Sequence, residues 1–527
     1  MIDTESRSKT MLKQLVFWFI LLQPFLDVYF FYQPPLSKMF VFSIPTMIRI
    51  LFIAVIGVLY LVAFRQNRWN WFLFGYAALL AIYSGLHLYF TKGLYTLDPH
   101  SIGFSVPGEL FYLVRMALPL IMLWVTAQLH VTKDQLTKIF TILTWITSGS
   151  IVISNLFVFS LASYGEGPQA AWIKGSIFSW FDPNNNLSFL DLASKGFFYY
   201  ANATSAIEVL FAFFVIYRIF KHIDWQSVAL LITQIFAMFM LGTKTATYGL
   251  FIAFVAVLAI FTILPLLQGQ GWQGHWHMLT IAAIFCVFFS LLFYYSPNRH
   301  RTDGDDYAIE VRAKEVKKVQ KKDKRVFQEV KKLNLQANRP ALVNFIGKYY
   351  PYFGLHPRFV KDGYSYKVDP NFWLTVMTKW TPADRFNHRK LERAILDRIR
   401  HVANSSKTNW FGISYTRMNT AFNLERDFLS QWYSLGLIGV LLFLGPYIFS
   451  MLWLAVAYLR RFRRITQFEA SIYAGVAAVL AISWYSGNVL DFLMESLILC
   501  FTIGVLWGLQ LSPDEYLPNS LSIPIQR

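Results

Sequence analysis

Charge and cysteine are both scarce in this chain of 527 residues. Charged residues make up 15% of it and hydrophobic residues 55%, whereas a soluble domain carries about 25% charge. An ordinary water-soluble enzyme is thereby excluded. The two cysteines, Cys286 and Cys500, lie inside apolar runs, so neither a disulfide framework nor a thiolate metal site is available. The chain also lacks a Walker A loop, an HExxH pair and a Rossmann glycine fingerprint. His275 and His277 have no partner ligands near them in sequence, and no cofactor is implied. No DNA-binding or RNA-binding motif accompanies the basic residues, so nucleic acid is not an expected partner.

What the chain does have is long hydrophobic runs. A helix needs roughly 20 mostly apolar residues to cross about 30 Å of hydrocarbon. Twelve runs qualify, at residues 11-32, 41-64, 69-90, 107-129, 137-161, 197-220, 226-243, 246-267, 276-296, 430-458, 468-486 and 489-510. The first is too long for a cleavable signal and has no small-residue cleavage site before the next run. The expected fold is therefore an all-α polytopic membrane protein of about 12 transmembrane helices in the cell membrane. Its expected parts are an N-terminal bundle of about nine spans over 1-296, a loop domain over 297-427, and a C-terminal bundle of about three spans with a tail over 428-527.

The few charges are unevenly placed. Lys+Arg number 48 against 30 Asp+Glu, a formal +18. Short loops with Arg65, Arg68, Lys133, Lys138, Arg218, Lys221 and the Arg460, Arg461, Arg463, Arg464 cluster fall on one side, which the positive-inside rule makes cytoplasmic together with both termini. The segments 162-196 and 297-427 then lie outside. The second holds 27 Lys/Arg and 14 Asp/Glu, or +13 of the total.

Within that loop, residues 310-333 have Val319, Val326, Val330 and Leu333 at one-face helical spacing, read as a solvated basic helix or an anionic-lipid contact. Residues 340-373 suggest irregular packed structure. Thr381-Pro382-Ala383-Asp384 starts a helix expected to run to about residue 402. It puts Arg389, Arg393 and Arg400 on one face, suited to forked recognition of phosphate or to pairing with Glu392 and Asp397.

Charges in or at the ends of spans are Asp27, Arg49, Glu109, Arg115, Glu208, Lys244, Asp491 and Glu495. Such groups pair with one another or face a cavity. Lys244 stands at a turn rich in hydroxyls and glycine, where an anion site is plausible. Glu425 and Asp427 open the 430-458 run, placed either to take a proton from a hydroxyl or only to complement a helix dipole.

In order along the chain, several short segments resemble the O-antigen ligase and polysaccharide polymerase family in its Gram-positive form. They are Gln23-Pro24-Phe25-Leu26-Asp27, the 195-205 segment KGFFYYANATS with Asn202, Gly242-Thr243-Lys244-Thr245, Leu391-Glu392-Arg393, Trp410-Phe411-Gly412-Ile413, Glu425-Arg426-Asp427, Leu435-Gly436-Leu437-Ile438-Gly439, and Ser486-Gly487-Asn488-Val489-Leu490. The resemblance implies a multi-span glycosyltransferase of the GT-C kind. Its donor would be an undecaprenyl-diphosphate-linked oligosaccharide, and membrane lipids and other polysaccharide-assembly proteins would be its partners. Ligase members commonly have histidine where Glu425 and Asn488 stand, which tilts the expectation towards a polymerase.

A lipid diphosphate leaving group needs cations where its charge grows, and the attacking hydroxyl needs a base. Arg393, Arg389 and Lys244 are the candidate diphosphate ligands, with Arg115 and Asn202 as further substrate contacts. Glu425 is the candidate base and Asp427 its orienting neighbour, with no metal in the scheme. A transporter of lipid-linked oligosaccharide is the rival from another class, with Arg49 and Arg115 along an anionic path. A scaffold role explains the outer domain but not the polar groups at the membrane face.

Overall fold

The computed structural model describes residues 2–32, 43–97, 102–158, 175–182, 189–269, 276–322, 339–421 and 424–511. Among these residues the chain is helical, with one isolated bridge, Val28 to Phe198, in place of any sheet. Among the described residues each of the twelve apolar runs is mostly helical. Ten stretches are long and apolar enough to span a bilayer, which makes this a polytopic membrane protein. The other two are Ile2–Leu26, whose first turns are polar, and the shorter apolar helix Trp225–Met240.

Two runs are built differently from their expectation. The first helix begins at Ile2 and stops at Leu26, just after Pro24, because the chain turns at Asp27 into a 3-10 turn, Tyr29–Tyr32. The run at 430-458 belongs to a 34-residue stretch, Asp427–Arg460, that bends at Gly436 and breaks again at Leu444. At 1.5 Å per residue a straight helix of that length would far exceed the hydrocarbon thickness.

The chain divides into two compact units. The first comprises residues 1–72, 115–301 and 445–527. Its centre is the pair Ala201–Lys221 and Leu493–Leu511, 89% and 94% buried, whereas Met278–Tyr295 is only 17% buried and keeps most of its side chains outward. Val209, Phe213, Met238, Leu250 and Phe254 form part of its continuous apolar core.

The second unit comprises residues 73–114 and 302–444, so it draws in much of the helices Asn70–Lys92 and Val106–Gln128 along with the basic loop. It has a core of its own around Trp373, Tyr364, Ile395, Leu396 and Tyr433. Asp369 organises one side of that core: it caps Pro370–Lys379 through the Phe372 amide, accepts from Tyr364 Oη at 2.9 Å, and pairs with Arg398 at 2.6 Å. Burial, reinforced by that carboxylate, drives the Tyr364 phenol well above its ordinary range.

The loop is more helical than its sequence suggests. Residues 339–363 form Arg339–Tyr349, a 3-10 turn and a π-turn. The helix expected over 381-402 is two: Pro382–Phe386 ends at Asn387, which takes an extended conformation and caps His388–Ala403 through the Lys390 amide. The basic helix is seen as Pro297–Lys322, with Lys314, Lys317 and Lys318 exposed. Val326, Val330 and Leu333 lie outside the described residues, as do His275 and most of 162-196; of the Val319 and His277 side chains nothing is described.

Candidate functional site

Each unit gathers its short segments into one place. In the first unit, Tyr29 N–H donates to the Phe197 carbonyl at 2.7 Å and Tyr199 N–H to the Asp27 carbonyl at 3.3 Å, which ties 23–27 to 195–205. Ser205 and Thr243 share a hydroxyl bond of 2.7 Å, and Thr245 meets Ser486 at 3.2 Å. Four segments distant in sequence thus converge.

Their charged members have specific settings. Arg49 is buried and bound to Asp27 at 2.8 Å and to the Gln23 side chain at 2.8 Å, while Tyr32 Oη donates to Asp27. This pair orients helices and exposes no charge. Glu208, fully buried, accepts from Ser148 at 2.8 Å and from Gln234 at 3.3 Å. Lys244 is exposed at the first position of Lys244–Leu267, behind the Thr243 cap, and Arg301 donates to the Gly242 carbonyl beside it at 3.2 Å. Asn202 is half-buried in the first turn of Ala201–Lys221, and Arg115 is half-buried in Val106–Gln128. Burial pulls the Lys195 ammonium down to about 8; it donates to the Tyr199 carbonyl at 3.1 Å.

In the second unit, the segments 410–413 and 433–436 cross backbone to backbone. Ile413 N–H donates to the Tyr433 carbonyl at 2.8 Å and Ser414 N–H to Ser434 at 3.1 Å. These carbonyls are available because Gly436, at φ +69°, breaks the helix there. Gly412 has φ +73°, and a Cβ on it would lie 2.2 Å from the Ser434 oxygen; a Cβ on Gly436 would lie 2.5 Å from Gly412 N. Only glycine permits both the left-handed conformation and the approach. Tyr83 Oη donates to the Leu435 carbonyl at 2.6 Å, so a neighbour satisfies this freed group too.

A buried pair braces this crossing. His87 Nδ1 donates to the Phe411 carbonyl at 2.7 Å, and Nε2 lies 2.8 Å from Glu109. Both Glu109 oxygens also accept backbone N–H groups, from Tyr415 and Thr416. Arg417, buried nearby, donates to the Thr91 and Ile413 carbonyls. Burial lowers its guanidinium from the usual arginine range, against the attraction of Glu109. Glu109 is visible in the sequence as a costly charge; His87 is not singled out there, although a lone histidine inside an apolar run is a legible signal.

The second unit also holds a cleft of about 310 Å³, lined by Asn387, Arg389, Lys390, Arg393, Leu424, Glu425, Arg426 and Leu429. Arg389 pairs with Glu425 at 3.2 Å, and Arg393 approaches Asp397 at 3.9 Å, which matches the intrahelical pairing weighed for that face. Arg400 is turned elsewhere: it bonds Asn409 and stacks on Trp432. Asp427 is fully buried in the first helical turn, whereas Glu425 is half exposed, so the two carboxylates have different surroundings.

Glu392 is the residue whose chemistry the sequence did not single out. It is 6% exposed on the helix that carries Arg389 and Arg393. Burial first, and then the charge of Glu425, push its carboxyl up to about 7 against the pull of Arg358 and Arg389. A carboxyl that titrates near neutrality beside a cationic cleft marks a candidate site for proton transfer. Among the described residues no group of three His, Cys, Asp or Glu side chains is placed to hold a metal ion.

The model of the family described as O-antigen ligase like membrane protein matches residues 9–509. The chain belongs to that family. No curated protein matches the sequence. Family membership covers all eight segments and both clusters, and it makes glycan transfer by a membrane enzyme the coarse functional assignment.

Proposed function

We propose that this protein polymerises undecaprenyl-diphosphate-linked oligosaccharide repeat units into cell-surface polysaccharide on the outer face of the plasma membrane, with its termini in the cytoplasm. The observation that carries the reading is the cleft that Arg389, Arg393 and Glu425 line together, with Arg389 paired to Glu425. In this reading the donor diphosphate binds Arg393 and draws Arg389 away from Glu425. Glu425, freed of its partner, takes the proton of the attacking sugar hydroxyl. The hydroxyl oxygen bonds to the anomeric carbon, the bond from that carbon to the phosphate oxygen breaks, and the lipid diphosphate leaves with its charge held by the guanidinium groups. Asp427, buried in the first turn of the helix that follows Glu425, fixes that helix start. No metal enters the scheme.

A ligase-type transfer of the finished glycan to another acceptor would use the same groups. Glu425 and Asn488, standing where ligase members commonly carry histidine, favour polymerisation. The test is incubation of the purified protein with a lipid-linked repeat unit, followed by analysis of chain length. Products of two or more repeats support polymerisation. Transfer only to a different acceptor supports the ligase reading, and unaltered substrate supports the transporter.

A further inference from the structure

A second cationic cavity lies within the first unit, and glycan transfer gives it no task. It has a volume of about 520 Å³ and is lined by residues from four separate segments. Lys133 stands at the start of Lys133–Leu156 and Lys221 at the end of Ala201–Lys221; Arg463 and Arg464 come from the turn after Gly445–Arg460. Gln268, at the end of Lys244–Leu267, donates to the Phe462 and Ile465 carbonyls at 2.9 and 3.0 Å, so the turn that carries both arginines is fixed.

Two helices also begin at this cavity. Thr132 and Thr466 each close a full capping box, so Lys133–Leu156 and Gln467–Tyr485 direct their N-terminal ends to it. Those ends carry positive partial charge. Thr137 and Thr466 supply hydroxyls to the wall. The opposing charges are Asp134, which lines the cavity, and Glu469, which is 3.9 Å from Lys133 and already accepts from the Thr466 amide and hydroxyl.

The positive-inside rule accounts for basic residues on one face of the membrane. It does not account for four of them, from three segments, around one cavity. Basic pockets between spans at a membrane face suit phosphate-bearing heads. We propose that this cavity binds a phosphate-bearing anion, either the head of an anionic phospholipid or a soluble phosphate compound. The occupant would tie the Arg463–Arg464 turn to the ends of three spans.

The test uses the full chain in phosphatidylcholine nanodiscs and reads binding rather than glycan transfer, so its outcome is independent of the proposed reaction. Phosphatidylglycerol and, separately, inorganic pyrophosphate are titrated against thermal unfolding. The wild type will bind at least one of them saturably. Arg463→Gln with Arg464→Gln will weaken that binding about thirtyfold, five- to sixfold for each cation removed. Arg460→Gln with Arg461→Gln makes the same charge change in the same loop outside the cavity and will change it less than twofold. Lys221→Gln, at an exposed position, gives a single step of about fivefold if the double variant does not fold. Binding of the lipid alone identifies a headgroup site, and competition by pyrophosphate identifies a free-phosphate site. Saturable binding of neither probe, or equal weakening in the Arg460/Arg461 pair, overturns the proposal.

Discussion

Replacing Glu392 by glutamine will stabilise the second unit at alkaline pH and leave it nearly unchanged in acid. The carboxyl is pushed up to about 7 in the folded protein from an ordinary value near 4.5. Between these two values the folded state keeps a proton that the unfolded chain has lost. The folded state binds more protons, so stability falls as pH rises through that window and levels off above about 7. The difference amounts to about 3 kcal/mol at the plateau. Glutamine has the same shape and no charge to desolvate. Below about pH 4.5 the variant and wild type will therefore melt together. At pH 8 the variant will melt roughly 6–12 °C higher for a unit of this size. The assay is thermal unfolding of purified protein in detergent, followed by tryptophan fluorescence at several pH values. A shift of equal size at pH 4.5 and pH 8, or none at pH 8, refutes the argument that burial and Glu425 hold this proton.

Three further substitutions test separate parts of the structure. Gly436→Ala forces a left-handed backbone onto a side chain that meets Gly412 at 2.5 Å, so it will cost at least about 3 kcal/mol and lower the melting temperature of the second unit. Asp27→Asn leaves Arg49 buried without its counter-charge, and a loss of about 3–5 kcal/mol will be seen as a lower melting temperature. Arg393→Lys keeps the charge and loses the fork. It will raise the KM for a lipid-diphosphate donor about tenfold with little effect on stability, because its ion pair is exposed.

The spans were legible because hydrophobic runs near bilayer length leave few alternatives. Their breaks were less so. Asn387 reads as one polar residue in an amphipathic stretch until its side chain is seen capping Lys390, and Gly436 reads as small until the backbone of Gly412 is seen against it. The recruitment of residues 73–114 into the second unit depends on long-range contacts such as Tyr83 with Leu435, His87 with Phe411 and Glu109 with Tyr415 and Thr416, which no local pattern encodes. For the candidate site, the sequence offered Arg389, Arg393 and Glu425 as residue types, and the fold lines one cleft with all three. The shift of Glu392 escaped the sequence because proton affinity follows burial and neighbouring charge rather than residue identity.

The central claim is that Glu425 removes a proton from the attacking hydroxyl. The most direct measurement compares wild type with Glu425→Gln in the extension of a purified lipid-linked repeat unit. The exposed pair with Arg389 contributes at most about 1 kcal/mol, so the variant will fold and melt as the wild type does. Its rate of chain extension will fall about 10²- to 10⁴-fold. A folded Glu425→Gln protein that extends glycan at the wild-type rate would contradict the account.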